Sequence, residues 1–111
     1  MEDFYREAES LQHLNHPNLI RYLGLYENKE ECYIVMEYLR LGSLDTYIRE
    51  NEKKLSHSDL FSMAKGAAAG MKYLEALKYI HRDLALRNLL VSKDENNKFI
   101  VKVSDFGIYI I

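Results

Sequence analysis

The stretch SHSDLFSMAKGAAAGMKYLEAL, Ser56 to Leu77, constrains the fold more than any other part of this sequence. Ser56 followed by Asp59 is a helix-start signal, because a serine hydroxyl can accept from an amide of the first turn while the carboxylate reaches back. Leu60, Ala64, Ala67, Met71 and Leu74 then recur at steps of four, three, four and three. That spacing places them along one face of an α-helix ending near Leu77. Gly66 and Gly70 lie four apart on the same helix, which suits close packing against a neighbouring helix. Membrane dimerisation is excluded, since Lys65 and Lys72 interrupt any apolar span.

The rest of the chain must pack around that helix. Phe4, Ala8 and Leu11 recur at helical spacing, so residues 2–14 are expected to be helical. NHPN (15–18) stops that helix, because Pro17 cannot continue it and Asn favours turns. LIRYLGLY (19–26) and CYIVMEY (32–38) are rich in aliphatic, aromatic and β-branched residues, and the polar ENKEE between them predicts a hairpin. A short helix from Ser43 to about Asn51 follows, with Ser43 as N-cap. NLLVS and FIVKVS flank the turn KDENNK and predict a second hairpin. The expected order is helix, two strands, two helices, loop, two strands, which is an α+β fold with two antiparallel hairpins.

With 111 residues the chain is one domain or part of one. A net charge of −2 gives no reason to expect a nucleic-acid or acidic-membrane partner. Cys32 has no second cysteine to pair with, which fits a reducing compartment. The start MEDFYREAES lacks an apolar signal core, and no run approaches the roughly 20 apolar residues of a membrane span. The expectation is a soluble, cytoplasmic protein without a membrane span.

Between Tyr79 and Val91 the segment YIHRDLALRNLLV sets His81, Arg82, Asp83, Arg87 and Asn88 between apolar flanks. If 89–92 and 99–104 pair, Asn88 enters one strand where Asp105 leaves the other, so both land at one end of the hairpin. A carboxylate and an amide oxygen are hard ligands suited to Mg²⁺. Asp83, nearby in the loop, can accept a proton from an incoming hydroxyl. Metal plus carboxylate base is what phosphoryl transfer asks of a protein, where catalysis is mostly positioning and charge neutralisation.

HRDLALRN followed by DFG resembles the catalytic loop and metal-binding segment of eukaryotic protein kinases. The resemblance runs from the family's C-helix to Gly107. It implies the central portion of the bilobal kinase fold, with 1–37 part of the N-lobe, 38–41 the hinge and 42–111 part of the C-lobe. It further implies ATP and Mg²⁺ as cofactors and a protein hydroxyl as substrate. Asp83, Arg87 and Asn88 match the catalytic residues, and Asn88 and Asp105 the metal ligands. Met36 matches the gatekeeper, while Glu37, Tyr38 and Leu39 match hinge residues whose backbone meets adenine, and Leu90 the floor beneath it. Glu7 is similar to the C-helix glutamate that pairs with a strand-three lysine. Its place beside the apolar stripe, between Phe4 and Leu11, also calls for a cationic partner. Leu11, Tyr22, His81 and Phe106 match the column that joins the lobes, and Arg82 the residue that can grip a phosphorylated activation loop.

Ala85 stands where serine/threonine kinases carry a lysine, and the basic residue comes two positions later at Arg87. That is the tyrosine-kinase arrangement, except that Leu86 replaces an alanine, which leaves dual-specificity enzymes open. No G-x-G-x-x-G occurs among the five glycines. Neither that loop nor the strand-three lysine is present, and a short IYII follows Gly107. The expectation is therefore the middle of a kinase domain, cut on both sides and inactive by itself. The alternative is a non-catalytic interaction module. His13 and His16 lack the further ligands a metal site requires.

Overall fold

The computed structural model describes residue 9, residues 11–78 and residues 84–104. Strands β1 (Tyr22–Glu27) and β2 (Cys32–Met36) form one two-stranded antiparallel sheet, and β3 (Leu89–Lys93) and β4 (Phe99–Val103) form another. Between them lie α1 (Leu44–Asn51), a 3₁₀ turn (Glu52–Lys54), the long α2 (His57–Ala76) and a second 3₁₀ turn (Leu86–Asn88). This is the α+β arrangement of two hairpins about a long helix that the sequence predicts. Of the first expected helix, Glu9, Leu11 and Gln12 are helical.

Local chemistry explains where the elements begin. Ser56 and Asp59 make both bonds of a capping box: Ser56 Oγ accepts from Asp59 N at 3.0 Å, and Asp59 Oδ2 accepts from Ser56 N at 3.0 Å. Such a cap is worth about 1 kcal/mol. Ser43 caps α1 with a single bond, its Oγ accepting from Asp45 N at 3.2 Å. Helix α2 ends as Leu77 donates to Tyr73 O and Leu74 O, and Lys78 takes a φ of 66°. A left-handed residue there stops the helix without glycine, at some steric cost. Each hairpin turn is closed by its own side chain. Asn28 Oδ1 accepts from the amides of Glu30 and Glu31, and Asp94 Oδ1 from those of Asn96 and Lys98.

Two expected boundaries differ from the observed ones. Leu19 and Ile20 do not belong to β1. They run beside β4, with Leu19 bridging Val103 in parallel, Val103 N donating to Asn18 O at 2.8 Å and Ile20 N to Val103 O at 3.0 Å. Strand β2 stops at Met36, and Glu37 keeps one bond by donating its amide to Arg21 O at 2.9 Å.

The predicted stripe of α2 is only partly buried: Ala67, Met71 and Leu74 pack in or against the core. Met63, Gly70 and Leu74 are buried, whereas Leu60 and Ala64 are exposed. The partner accounts for the pattern. Gly66 and Gly70 pack against the 18–20 segment and β4, not against a helix: a Cβ on Gly70 would sit 2.5 Å from Asn18 O and 3.0 Å from Val103 Cγ2. The backbone of α2 therefore lies directly on the Asn18 turn, and the flanking apolar residues close over the contact. Leu74, Val91, Val101, Val103 and Ile20 are fully buried there, joined by Leu11, Leu14, Leu19, Tyr22, Leu44, Met63 and Leu89.

Candidate functional site

The hairpin β3–β4 builds one side of the site. Its ladder pairs Leu89 with Val103 and Leu90 with Lys102, so the start of β3 faces the end of β4. The 3₁₀ turn before β3 carries Arg87, which is exposed, and Asn88, which is 8% exposed. The Asn88 carbonyl accepts twice from Ser104, from its amide at 2.9 Å and its hydroxyl at 3.0 Å. Two donors on one carbonyl fill both lone pairs and fix the entry of β3 to the exit of β4. The residue bonded to Ser104 in sequence is Asp105. Asp105 itself, with Glu7, His81, Arg82, Asp83 and Phe106, lies outside the described residues.

A second strip of backbone runs alongside. After Met36, which is 38% exposed and pairs with Tyr22, the chain leaves the sheet through Glu37, Tyr38 and Leu39. Tyr38 is 85% exposed, while Leu39 and Leu90 both pack against the core cluster. The strip is tied to β3 below it. Leu39 O accepts from Gly42 N at 3.0 Å, Gly42 O accepts from Val91 N at 3.0 Å, and Ser43 bridges Leu90. Gly42 has a φ of 74°, a turn that favours glycine. Among the described residues, the Glu37 carbonyl and the Leu39 amide have no hydrogen-bond partner. A free acceptor and a free donor two residues apart on one edge can meet the edge of a planar base.

Leu11 and Tyr22 are buried in the same core, at 3% and 7% exposure. His16 acts structurally, with Nδ1 accepting from Asn18 N at 3.0 Å and its ring 5.0 Å from that of Tyr73. A groove of about 800 Å³ lies elsewhere: it is lined by Leu44 and Ile48 of α1, Leu60, Ala64 and Met71 of α2, and Leu86, among others. It does not include the 37–39 strip. No helix among the described residues is long and apolar enough to cross a membrane.

Two contributors escaped the sequence reading. Ser104 was a strand residue without a role, although its position next to Asp105 was a usable signal. Lys102 stands between two buried valines, and a lone cation in an apolar strand calls for a partner. It finds one in Glu37, with Nζ 2.8 Å from Oε1.

A loop ending in Asn88, closed on the strand that leads to Asp-Phe-Gly and set beside a hinge-like strip, is the arrangement of a protein kinase. A sequence model described as "Protein tyrosine and serine/threonine kinase" matches residues 1–110, and the chain belongs to that family. The chain is 42% identical over 106 residues to Ephrin type-B receptor 1-A of Xenopus laevis and to Ephrin type-A receptor 5 of Rattus norvegicus, covering 96% of this chain and 10% of each receptor. It is 44% identical over 107 residues to Ephrin type-A receptor 8 of Rattus norvegicus, covering 96% of this chain and 28% of that protein. The chain thus spans about a tenth of the length of the first two relatives.

Proposed function

We propose that these residues serve within an ATP-dependent protein kinase that transfers the γ-phosphoryl group to protein hydroxyls, tyrosine above all. The observation that carries this reading is the pair of hydrogen bonds that the Ser104 amide and hydroxyl donate to the Asn88 carbonyl, which ties the loop to the strand leading to Asp105. Residues 1–37 then belong to the smaller lobe, 38–41 to the hinge and 42–111 to the larger lobe.

The donor set fits Mg²⁺: Asn88 and Asp105 offer hard oxygens, and the Asn88 backbone is pinned and buried. When bound, the ion neutralises phosphate charge and orients the nucleotide. The protein's own groups do the rest. The Glu37 carbonyl and Leu39 amide receive the adenine edge, with Met36 behind it and Leu90 beneath. Asp83 takes the proton of the attacking hydroxyl. Arg87 balances charge on the transferred group while leaving room for a tyrosine side chain. Glu7 pairs with a lysine on an adjoining strand. Leu11, Tyr22, His81 and Phe106 stack between the lobes, and Arg82 meets a phosphorylated loop.

The test is phosphotransfer by the intact protein to tyrosine and serine peptides in parallel, with Asp83→Asn as control. Transfer to tyrosine that the substitution abolishes supports the reading. Transfer confined to serine would refute the tyrosine assignment. Absence of any transfer would refute the catalytic one in favour of an interaction module.

A further inference from the structure

Glu37 and Lys102 make a half-buried ion pair, with side chains 26% and 18% exposed, that links residues far apart in sequence. Its carboxylate does more than meet the lysine. Glu37 Oε1 also accepts from Arg21 N at 2.9 Å, while Glu37 N donates to Arg21 O at 2.9 Å. Residue 37 is therefore held at both backbone and side chain against the start of β1, and the same oxygen is held by β4. One oxygen atom joins three segments.

The two ends of this clasp are the places the nucleotide reading needs. Glu37 carries the unpartnered carbonyl, and Leu39, two residues on, the unpartnered amide. Lys102 is the ladder partner of Leu90, and Ser104, two residues further, is fixed to Asn88. Tyr38, at 85% exposure, gains nothing from packing, so the hinge strip takes its position from its flanks. A charged hydrogen bond with most of its surface away from water is screened less than a surface pair. Removing the ammonium leaves a carboxylate half-buried with one backbone donor, and it would relax towards solvent, drawing residue 37 with it.

We propose that Lys102 is a positioning residue: through the Glu37 carboxylate it registers the hinge strip against the strand that leads to Asp105. The pair sets where the adenine edge is received relative to where the phosphates are held. This rests on the kinase reading above.

The test uses the intact protein with Lys102→Met, which keeps the aliphatic stem, and Lys102→Arg, which keeps the cation. Nucleotide binding by the wild type is measured first. Lys102→Met is expected to raise KM for ATP about tenfold, while kcat changes less than about threefold. The amides of Arg21 and Glu37 should exchange with deuterium about tenfold faster in the absence of nucleotide. Lys102→Arg should restore both. A purely structural role would lower the folded fraction, and with it kcat, leaving KM in place. Unchanged exchange in Lys102→Met, or faster exchange with unchanged KM, overturns the proposal. A wild type that binds no nucleotide sinks the kinase reading and this proposal together, and the first measurement tells that case apart.

Discussion

Gly70 is where the fold is most exposed to a single methyl group. An alanine there places its Cβ 2.5 Å from Asn18 O and 3.0 Å from Val103 Cγ2. The carbonyl is backbone and cannot swing aside: it accepts from Val103 N at 2.8 Å, while the Asn18 side chain donates to Val101 O at 2.9 Å. Forcing the turn off the helix costs about 1–3 kcal/mol for overpacking and about 1 kcal/mol for the weakened Val103 bond. Against that, alanine gains about 1 kcal/mol of helix propensity over glycine. The net is a loss of about 1–3 kcal/mol. Gly66 is the internal control, because its added Cβ meets the Asn18 Nδ2 side-chain atom at 3.0 Å and otherwise only ordinary contacts at 3.6 Å and beyond. That amide is held by its bond to Val101 O, but a shift of a few tenths of an ångström lengthens the bond without breaking it. Helix propensity offsets the cost, so Gly66→Ala should fall within about 1 kcal/mol of the parent. Urea denaturation followed by far-UV circular dichroism compares the two, and the expected gap is about 1 M in midpoint for slopes of 1–3 kcal/mol/M. If Gly70→Ala proves as stable as the parent, or Gly66→Ala the weaker of the two, the close approach of α2 to the Asn18 turn is not what holds these layers together.

Other expectations follow from the caps and the site. Ser56→Ala removes the hydroxyl that holds Asp59 N at 3.0 Å and should cost about 1 kcal/mol, read from the same urea midpoint. In the intact protein, Asp83→Asn should lower turnover by about 10²–10⁴ through loss of the proton acceptor, in a steady-state phosphotransfer assay. Asp105→Asn should instead raise the Mg²⁺ concentration needed for half-maximal nucleotide binding; near-normal behaviour of both at low Mg²⁺ would void the assignment. The 111 residues by themselves contain no G-x-G-x-x-G, so calorimetric titration with Mg²⁺-ATP should show weak binding or none. A sharp micromolar curve from a stable monomer would refute this.

What the sequence disclosed was local. The capping box at Ser56, the cap at Ser43 and both hairpins follow from bonds made within a few residues, and all are present. The depth of burial along α2 depends on something less local. Ala67, Met71 and Leu74 of the spaced stripe pack on the core while Leu60 and Ala64 stay exposed, because Gly70 lets the Asn18 carbonyl come close to the helix backbone. The partner could not be read either. A glycine pair four apart looks the same whether it receives a helix or a turn, and only the placement of Asn18 decides.

The same limit governs the site. The motif letters mark Asn88 and Asp105 as companions, but what ties the first to the strand before the second is a serine hydroxyl and amide that no motif names. Likewise Glu37 stood out for its backbone, while its carboxylate is what the rest of the fold grips. These supports share a feature: each involves a residue at the edge of a strand, at sequence separations from 16 for Ser104–Asn88 to 65 for Lys102–Glu37. Periodicity reports which side of an element is buried, and motifs report which groups do chemistry. Neither reports the fasteners between segments, because a serine or lysine acquires that role only once two distant strands have been brought into register. In this chain Asn18 anchors the 18–20 segment to β4, its carbonyl receiving Val103 N and its side-chain amide reaching Val101 O. Displacing that segment should therefore disturb the Asn88–Ser104 closure and the Glu37–Lys102 pair together, since Lys102 lies on β4 and Ser104 follows it directly.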